Sequence, residues 1–234
     1  MIIYVKLILI ALIAYLLGSI NTSIIISKLK GTDIREHGSK NAGLTNTLRT
    51  FGKGTALIVL IGDILKAVIA IVLARILAPS FQAGVVGEGP DAIPVFEKLT
   101  ILSVQIAGIA VVLGHIFPVY YGFKGGKGVL TSATVIFMIN WKIGLMCLAL
   151  FVIVVAITRY VSLGSVLTAL AFPAIIIYSY KIPFLGDQVD YLWMALFLAI
   201  LVIVKHRGNI VRLVKDEERK ISFKKKDVEI KEEK

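Results

Sequence analysis

The chain has 234 residues, of which 57% are hydrophobic, and it carries a formal net charge of +11. Its mean hydropathy of +0.87 is far above that of soluble globular domains and predicts an integral membrane protein. A single cysteine excludes an intramolecular disulfide and a cysteine-rich zinc site. The basic residues are divided among short segments between apolar runs, and no nucleic-acid-binding module is present, so nucleic acid is not predicted as a partner.

Apolar runs of the length that crosses a bilayer, about 20 residues, recur along the chain. We predict six membrane-spanning helices, at residues 3–27, 55–77, 100–121, 143–158, 163–180 and 191–204. A seventh apolar run, Val129–Ile139, is shorter and as a helix reaches only ~17 Å, against a hydrocarbon core of about 30 Å. It is either a short span that ends at residues 140–142 or the first part of one helix fused with the next run.

The distribution of lysine and arginine favours a break at residues 140–142. With seven spans and the N-terminus outside, 20 of these residues fall on the inner side and four on the outer side. This asymmetry follows the positive-inside rule, and a fused helix would instead place the basic C-terminal segment outside. The sequence therefore predicts an all-α protein with about seven transmembrane helices and a cytosolic C-terminus. We expect one membrane domain, residues 1–204, and a basic tail, residues 205–234, that begins as an interfacial helix.

Four polar segments fall on the predicted inner face, at residues 38–49, 114–128, 159–165 and 205–213. They are rich in hydroxyl, amide and cationic groups, and the one carboxylate expected near the spans is Asp63, paired with Lys66 one helical turn away. In the first segment, Thr45 or Asn46 is expected to cap a short helix that ends at Gly52. Such a site favours an anionic substrate, because two-metal catalysis requires clustered carboxylates and an ion pump requires acidic residues in the middle of the membrane.

The second segment contains three glycines and two lysines, in the order Phe123-Lys124-Gly125-Gly126-Lys127-Gly128. Glycine leaves backbone N–H groups accessible and lysine adds positive charge, a combination that predicts a nest for an anion such as phosphate. The segment is not a P-loop, because the G-x-x-x-x-G-K-[ST] pattern is absent.

Several motifs, in their order along the chain, resemble the bacterial acyl-phosphate:glycerol-3-phosphate acyltransferase family, the PlsY type. The matching motifs are Gly18-Ser19, the segment from Asp33 through Gly38-Ser39, Asn41, Gly43 and Thr45-Asn46 to Arg49, Asp63 with Lys66, Gly114-His115 with Pro118, residues 123–128, Arg159-Tyr160 with Ser162 and Ser165, and His206 to Leu213. The chain departs from the family pattern at Lys40 and Asp216, where glycine is usual, at Leu44, where alanine is usual, and at Lys205, where arginine is usual.

The resemblance implies a reaction without a cofactor. A fatty acyl phosphate transfers its acyl group to the 1-hydroxyl of sn-glycerol 3-phosphate, which gives lysophosphatidic acid and inorganic phosphate in phospholipid synthesis. It further implies a multi-pass protein of the bacterial inner membrane that contacts membrane lipids and has no obligatory protein partner. The residues agree with this reaction, since two phosphate-bearing substrates require two anion pockets and the acyl chain requires an apolar groove.

On this resemblance we expect six catalytic residues, Ser39, Arg49, Lys127, Ser162, His206 and Asn209, and no metal ligand. Nine further residues are expected to bind substrate, namely Asn41, Thr45, Asn46, Lys124, Gly125, Gly126, Gly128, Arg207 and Arg212. The donor phosphate is assigned to Lys127 and the N–H groups of residues 125–128, and the glycerol phosphate to Arg49, His206 and Asn209. Ser39 and Ser162 are expected to orient substrate oxygens.

The role of His206 has two alternatives. It is either a general base or a phosphate ligand, and in the second case a substrate phosphate oxygen takes the proton. We favour the second alternative, because no acidic residue lies near His206 in the sequence.

Two other functional classes compete with this interpretation. An acyltransferase that uses acyl-CoA or acyl carrier protein often shows His-x-x-x-x-Asp, and none of the three histidines has an aspartate at that spacing. An organic-anion or phosphate transporter favours broken helices in matching halves, and the sequence shows no such symmetry.

Overall fold

The computed structural model describes residues 2–78, 85–86 and 93–221. Nine α-helices occur in this part of the chain: α1 (Ile2–Ser19), α2 (Thr22–Leu29), α3 (Leu44–Leu77), α4 (Val95–Ile116), α5 (Val129–Ile139), α6 (Trp141–Thr158), α7 (Val161–Tyr178), α8 (Leu192–Lys205) and α9 (Arg207–Val214). Single 3₁₀ turns lie at Val119–Tyr121, Ser179–Lys181 and Val189–Tyr191. Two antiparallel two-residue strands, β1 (Val85–Val86) and β2 (Ile93–Pro94), complete the described elements.

The helices match the predicted apolar runs, which confirms the all-α membrane fold. Within the described residues, five helical segments are long and apolar enough to cross a membrane, and a sixth is formed when the bent pair α8 and α9 is counted as one span. The short helix α5 ends at Ile139, and the side chain of Asn140 accepts hydrogen bonds from the N–H groups of Lys142 and Ile143 at the start of α6. The predicted break between residues 139 and 141 is therefore confirmed.

The first predicted span is interrupted near its end. α1 ends at Ser19, and Asn21 caps α2 by accepting a hydrogen bond of 3.1 Å from the N–H of Ile24. The amide nitrogen of Asn21 also donates to the carbonyl oxygen of Ala42. The break therefore ties the first span to the polar segment that follows it.

Helix α3 begins earlier than the predicted second span and contains a kink. Gly52 has a φ of 81°, so the residues before it form a separate helical piece. This piece carries Arg49, as predicted, but its N-cap is Gly43, which makes no side-chain capping bond. The predicted capping by Thr45 or Asn46 is therefore wrong.

The core of the bundle forms around α1, α3 and α4. Glycines allow α1 and α4 to approach closely, because a Cβ on Gly18 would overlap the backbone of Val111 and one on Gly114 would overlap the backbone of Tyr15. Buried side chains of these helices, with contributions from α5 and α8, form the largest apolar cluster.

The connections gather at the two ends of the bundle. One end, which we call the site face, is formed by residues 30–54 with the first piece of α3, by residues 122–128 and 159–160, and by residues 206–221 with α9. At the opposite end, the amide of Asn140 donates to the carbonyl of Leu185, and Lys142 donates to the carbonyl of Phe184. The four predicted polar segments therefore lie on the same side of the membrane bundle.

Candidate active site

A cavity of about 490 Å³ opens at the site face and extends between α5, α6, α7 and α8. Its mouth is polar and includes Ser39, Arg49, Lys127, Ser162 and His206. Its interior is apolar and is lined by side chains such as Ile136, Phe172 and Leu198. One continuous space thus joins a cationic mouth to an apolar interior of the membrane.

The segment that carries Ser39 is held in place by Asn46. The buried amide nitrogen of Asn46 lies 3.0 Å from the carbonyl oxygen of His37 and 3.1 Å from that of Asn41. Its amide oxygen accepts a hydrogen bond of 2.8 Å from the N–H of Ser39. Because both ends of this amide are used within the segment, Asn46 fixes the loop, and its role in binding substrate stays a prediction.

The loop at residues 123–128, which we call the glycine-lysine loop, differs from the predicted anion nest. The N–H of Gly125 donates to the carbonyl of Ile116 at 3.1 Å, and the N–H of Gly126 donates to that of His115 at 3.1 Å. These two N–H groups are therefore not available to an anion. Gly126 is required for another reason, because a Cβ there would overlap the imidazole of His115. The glycines let the loop fold back on the end of α4, which places Lys127 at the cavity.

The side chain of Lys127 enters the cavity and donates to the amide oxygen of Asn209. The pKa of the Lys127 ammonium is lowered to about 8. Burial is the largest cause, the cations Arg212, Arg49 and Lys205 lower the pKa as well, and Glu218 acts to raise it. Lys127 is therefore still mostly charged at neutral pH.

Glu218 is a site residue that the sequence did not reveal. Its carboxylate accepts hydrogen bonds from Ser162 Oγ at 2.8 Å, Asn209 Nδ2 at 2.6 Å and Arg212 Nε at 2.8 Å. Burial acts to raise the pKa of this carboxyl, but the three hydrogen bonds hold the pKa below its ordinary value. Asp63 is therefore not the one carboxylate at this face, and Glu218 joins α7 to α9.

The chain around Glu218 is fastened to two other parts of the site. The N–H of Ile221 donates to the carbonyl of Arg159 at 2.8 Å. The guanidinium of Arg49 donates to the carbonyl of Arg219 at 3.1 Å. The first residues of the predicted tail thus form one wall of the cavity, while residues 222–234 lie outside the described part of the chain.

His206 lies at the bend between α8 and α9 and is buried. Its Nδ1 lies 2.8 Å from the carbonyl oxygen of Val202, so Nδ1 carries the proton and donates. Burial and, to a smaller extent, the charge of Lys127 lower the pKa of His206 to about 4, so the imidazole is neutral at pH 7. Its Nε2 can therefore accept a hydrogen bond but cannot donate one to a phosphate.

A buried polar cluster lies beneath the mouth of the cavity. The predicted pair of Asp63 and Lys66 is confirmed, with 2.8 Å between Nζ and Oδ1. Lys66 Nζ also donates to His115 Nδ1 at 2.9 Å and to the carbonyl of Ile20 at 2.9 Å. This cluster joins α1, α3 and α4, and it agrees with the structural role expected for His115.

Most of the predicted site residues surround this cavity. It is lined by Ser39, Asn41, Thr45, Asn46, Arg49, Lys127, Gly128, Ser162, His206, Asn209 and Arg212. Four predicted binding residues are not part of its lining, namely Lys124, Gly125, Gly126 and Arg207. The two glycines shape the loop, whereas Lys124 and Arg207 are exposed on the site face.

The fold and site define a multi-pass integral membrane protein with a cationic pocket open to an apolar interior. A family model described as glycerol-3-phosphate acyltransferase matches residues 8–216. A protein named glycerol-3-phosphate acyltransferase from Clostridioides difficile (strain 630) is 45% identical over 219 residues, which cover 93% of this chain and 97% of that protein. A protein of the same name from Chlorobaculum tepidum is 41% identical over 235 residues, with the same coverage.

Solved structures give the same result. The chain is similar to a crystal structure of PlsY (YgiH), an integral membrane glycerol 3-phosphate acyltransferase, in its glycerol 3-phosphate form. The TM-score is 0.76 and the sequence identity is 33%, and the match covers 92% of this chain and 96% of that one. Its lysophosphatidic acid form has a TM-score of 0.73 at the same identity. The chain belongs to the glycerol-3-phosphate acyltransferase family.

Proposed function

We propose that this protein transfers a fatty acyl group from acyl phosphate to the 1-hydroxyl of sn-glycerol 3-phosphate. The products are lysophosphatidic acid and inorganic phosphate. The observation that carries this proposal is the continuity of one cavity, whose mouth contains Arg49, Lys127 and Arg212 and whose interior is apolar. Phosphate groups fit the cationic mouth, and a fatty acyl chain fits the interior.

The protein acts in the bacterial inner membrane with its site face toward the cytosol. The support for this orientation is the concentration of lysine and arginine at the site face, since cytoplasmic loops carry an excess of these residues. Glycerol 3-phosphate, a soluble dianion, reaches the site from that side. The helix α9, which carries exposed cations and Val211 and Val214, lies along the membrane surface.

The donor phosphate binds at Lys127, next to the N-terminus of α5. This helix begins after Gly128, and its first N–H groups have no partner one turn earlier, so its positive end favours an anion there. The predicted donor site is thus kept, although Gly125 and Gly126 contribute shape rather than N–H groups. The glycerol phosphate binds at Arg49 and Arg212, at the outer part of the mouth.

The acceptor hydroxyl is positioned by His206. Because Nδ1 is bound to Val202, the free Nε2 accepts a hydrogen bond from the 1-hydroxyl of the substrate. A group with a pKa of about 4 is a weak base, so a substrate phosphate oxygen takes the proton, as predicted. The alternative role of His206 as a phosphate ligand stays an untested prediction; in this proposal its Nε2 accepts from the hydroxyl, because a neutral imidazole with Nδ1 protonated has no second N–H to donate.

The chemical step is a displacement at the acyl carbonyl carbon. The 1-oxygen of glycerol 3-phosphate forms a bond to this carbon, and the bond between this carbon and the phosphate oxygen breaks. Phosphate leaves with the electron pair and is stabilised by Lys127, while the nearby hydroxyls of Ser39 and Ser162 orient the reacting oxygens. Because the mixed anhydride is already activated, positioning and charge stabilisation provide most of the catalysis.

The donor is tested with the purified protein in lipid nanodiscs. It is supplied with glycerol 3-phosphate and, separately, palmitoyl phosphate, palmitoyl-CoA or palmitoyl acyl carrier protein. Formation of lysophosphatidic acid with the first donor alone supports the proposal. Formation with a thioester alone refutes the acyl-phosphate donor, and no product with any donor refutes the acyltransferase function.

The activity is expected to fall at alkaline pH. Below a pH of about 8 Lys127 carries its proton and attracts the donor phosphate, and above it the charge is lost, so kcat/KM for acyl phosphate decreases as pH rises through about 8. The measurement is a pH profile of kcat/KM for the wild type and for Lys127→Arg. The arginine variant is slower but keeps its charge, so it lacks this decrease. An identical alkaline decrease in both proteins would assign it to another group.

A further inference from the structure

The deep end of the cavity is closed by a defined set of side chains. The deep part of the lining includes Ile136 on α5, Cys147 on α6 and Phe172 on α7, which are nearly completely buried and belong to one apolar cluster. On α5 and α6 the lining also includes Phe137 and Gly144, which lie further toward the opposite face. The cluster continues toward the opposite face with Ile143 and Ile176, which are 1% exposed and do not line the cavity.

We propose that Phe172, together with Ala169 one turn nearer to the mouth, determines the length of the acyl chain that the enzyme accepts. This inference rests on the proposed function, because it assigns the apolar interior to the acyl chain. Phe172 closes the cavity and Ala169 leaves the space before it open.

The depth of the cavity agrees with this assignment. The lining of α7 runs from Val161 at the mouth to Phe172, eleven residues later. This corresponds to ~16 Å along the helix, which is close to half of the ~30 Å hydrocarbon core. The cavity therefore accommodates a chain that fills about one leaflet and ends before the opposite face.

At the deep end, the side chains that α6 contributes to the cavity wall are smaller than the one that α7 contributes, so Phe172 on α7 is the candidate for limiting the acyl chain. The wall formed by α6 has the small residues Gly144 and Cys147. A Cβ on Gly144 would lie 2.7 Å from the ring of Phe137, so this glycine is needed for α5 and α6 to pack together. The ring of Phe137 closes the end between α5 and α6 through this contact, and the ring of Phe172 on the facing helix closes the space along α7. A packed interior does not yield to extra methylenes without strain, so a longer chain is rejected at this ring.

The experiment measures the ratio of kcat/KM for octadecanoyl phosphate to that for tetradecanoyl phosphate. In Phe172→Ala this ratio is expected to rise by about tenfold, because methylenes that enter the new space are buried. In Ala169→Leu the added side chain occupies the channel, and the ratio falls by about tenfold. Phe172→Leu, a smaller change, shifts the ratio in the same direction as Phe172→Ala and serves if the alanine variant does not fold.

Ile176→Ala is the matched control. Ile176 lies one turn beyond Phe172 on the same helix and in the same cluster, but it does not line the cavity. This variant is expected to lose thermal stability while its chain-length ratio and its KM for glycerol 3-phosphate stay within twofold of the wild type. An unchanged ratio in the folded Phe172 variants and in Ala169→Leu overturns the proposal, as does an equal shift in Ile176→Ala.

The outcome is separable from that of the proposed function. If the wild type uses acyl thioesters instead of acyl phosphates, the acyl-phosphate donor is refuted. The same ratio, measured with octadecanoyl-CoA and tetradecanoyl-CoA, then still tests whether Phe172 limits the chain.

Discussion

The Lys127→Ala variant is expected to lower kcat/KM for acyl phosphate by about a thousandfold. Lys127 is the lysine of the glycine-lysine loop whose ammonium lies inside the cavity, and it donates to Asn209 beside the predicted position of the donor phosphate. Its charge stabilises the phosphate as the bond to the acyl carbon breaks. The loss is therefore expected mainly in kcat, measured by release of phosphate under saturating glycerol 3-phosphate.

Lys124→Ala is the control for this experiment. Lys124 lies three residues earlier in the same loop and carries the same charge, but its side chain is exposed and does not line the cavity. The contact that Lys124 makes to Arg35 uses its backbone carbonyl, which alanine retains. We expect its kcat/KM to stay within about threefold of the wild type, as for a surface charge that is screened by solvent. Equal losses in the two variants would show that the loop acts through its overall charge and would remove Lys127 from the reaction centre.

The sequence was sufficient to predict the membrane helices and the meeting of the polar segments at one end of the bundle. Hydropathy is a property of each run of residues, so the helices α6 and α7 are found close to their predicted bounds. The break at Asn140 required a second argument, the distribution of lysine and arginine, because α5 is too short to be identified by length alone. The polar segments were expected together because each follows or precedes a span on the same side.

Contacts within the site were harder to predict, because hydrogen bonds between distant buried groups are set by the tertiary structure. Asn46 is predicted to bind substrate, and nothing in the sequence indicates the hydrogen bonds by which its amide holds the loop of Ser39. Gly125 and Gly126 were expected to offer their N–H groups, but carbonyls at the end of α4 accept them. Glu218 cannot be identified from the sequence, because it follows a charged stretch typical of a solvated tail and no spacing connects this carboxylate with Ser162.

Two departures from the family pattern have a common explanation in the backbone. Lys40 and Asp216 stand where the resemblance to the family leads us to expect glycine, and both have a φ of 57°, in the left-handed region that glycine favours. The loop conformation is therefore kept at each position despite the larger side chain.

The Glu218→Ala variant is expected to lose both stability and activity. The Glu218 side chain is only 7% exposed and accepts hydrogen bonds from Ser162, Asn209 and Arg212. Alanine leaves the buried donors of Ser162 and Asn209 without their partner, which costs about 2 kcal/mol of the free energy of unfolding, whereas the Arg212 side chain, 42% exposed, is rehydrated by solvent. The wall of the cavity also loses its attachment to α7. We therefore expect a lower temperature of thermal unfolding in detergent and at least a hundredfold lower kcat/KM.

Glu217→Ala separates this effect from a general loss of negative charge in the tail. Glu217 is exposed, and its N–H donates to the carbonyl of Arg212 at 2.8 Å, a bond that alanine preserves. Its thermal stability and kcat/KM are expected to remain close to those of the wild type. Glu218→Gln provides the intermediate case, because its amide oxygen still accepts from Ser162 while the ion pair with Arg212 is lost. If Glu218→Ala unfolded at the same temperature as Glu217→Ala, the carboxylate would not hold α7 and α9 together. The cavity wall would then be held by the hydrogen bonds that the carbonyls of Arg159 and Arg219 accept from Ile221 and Arg49.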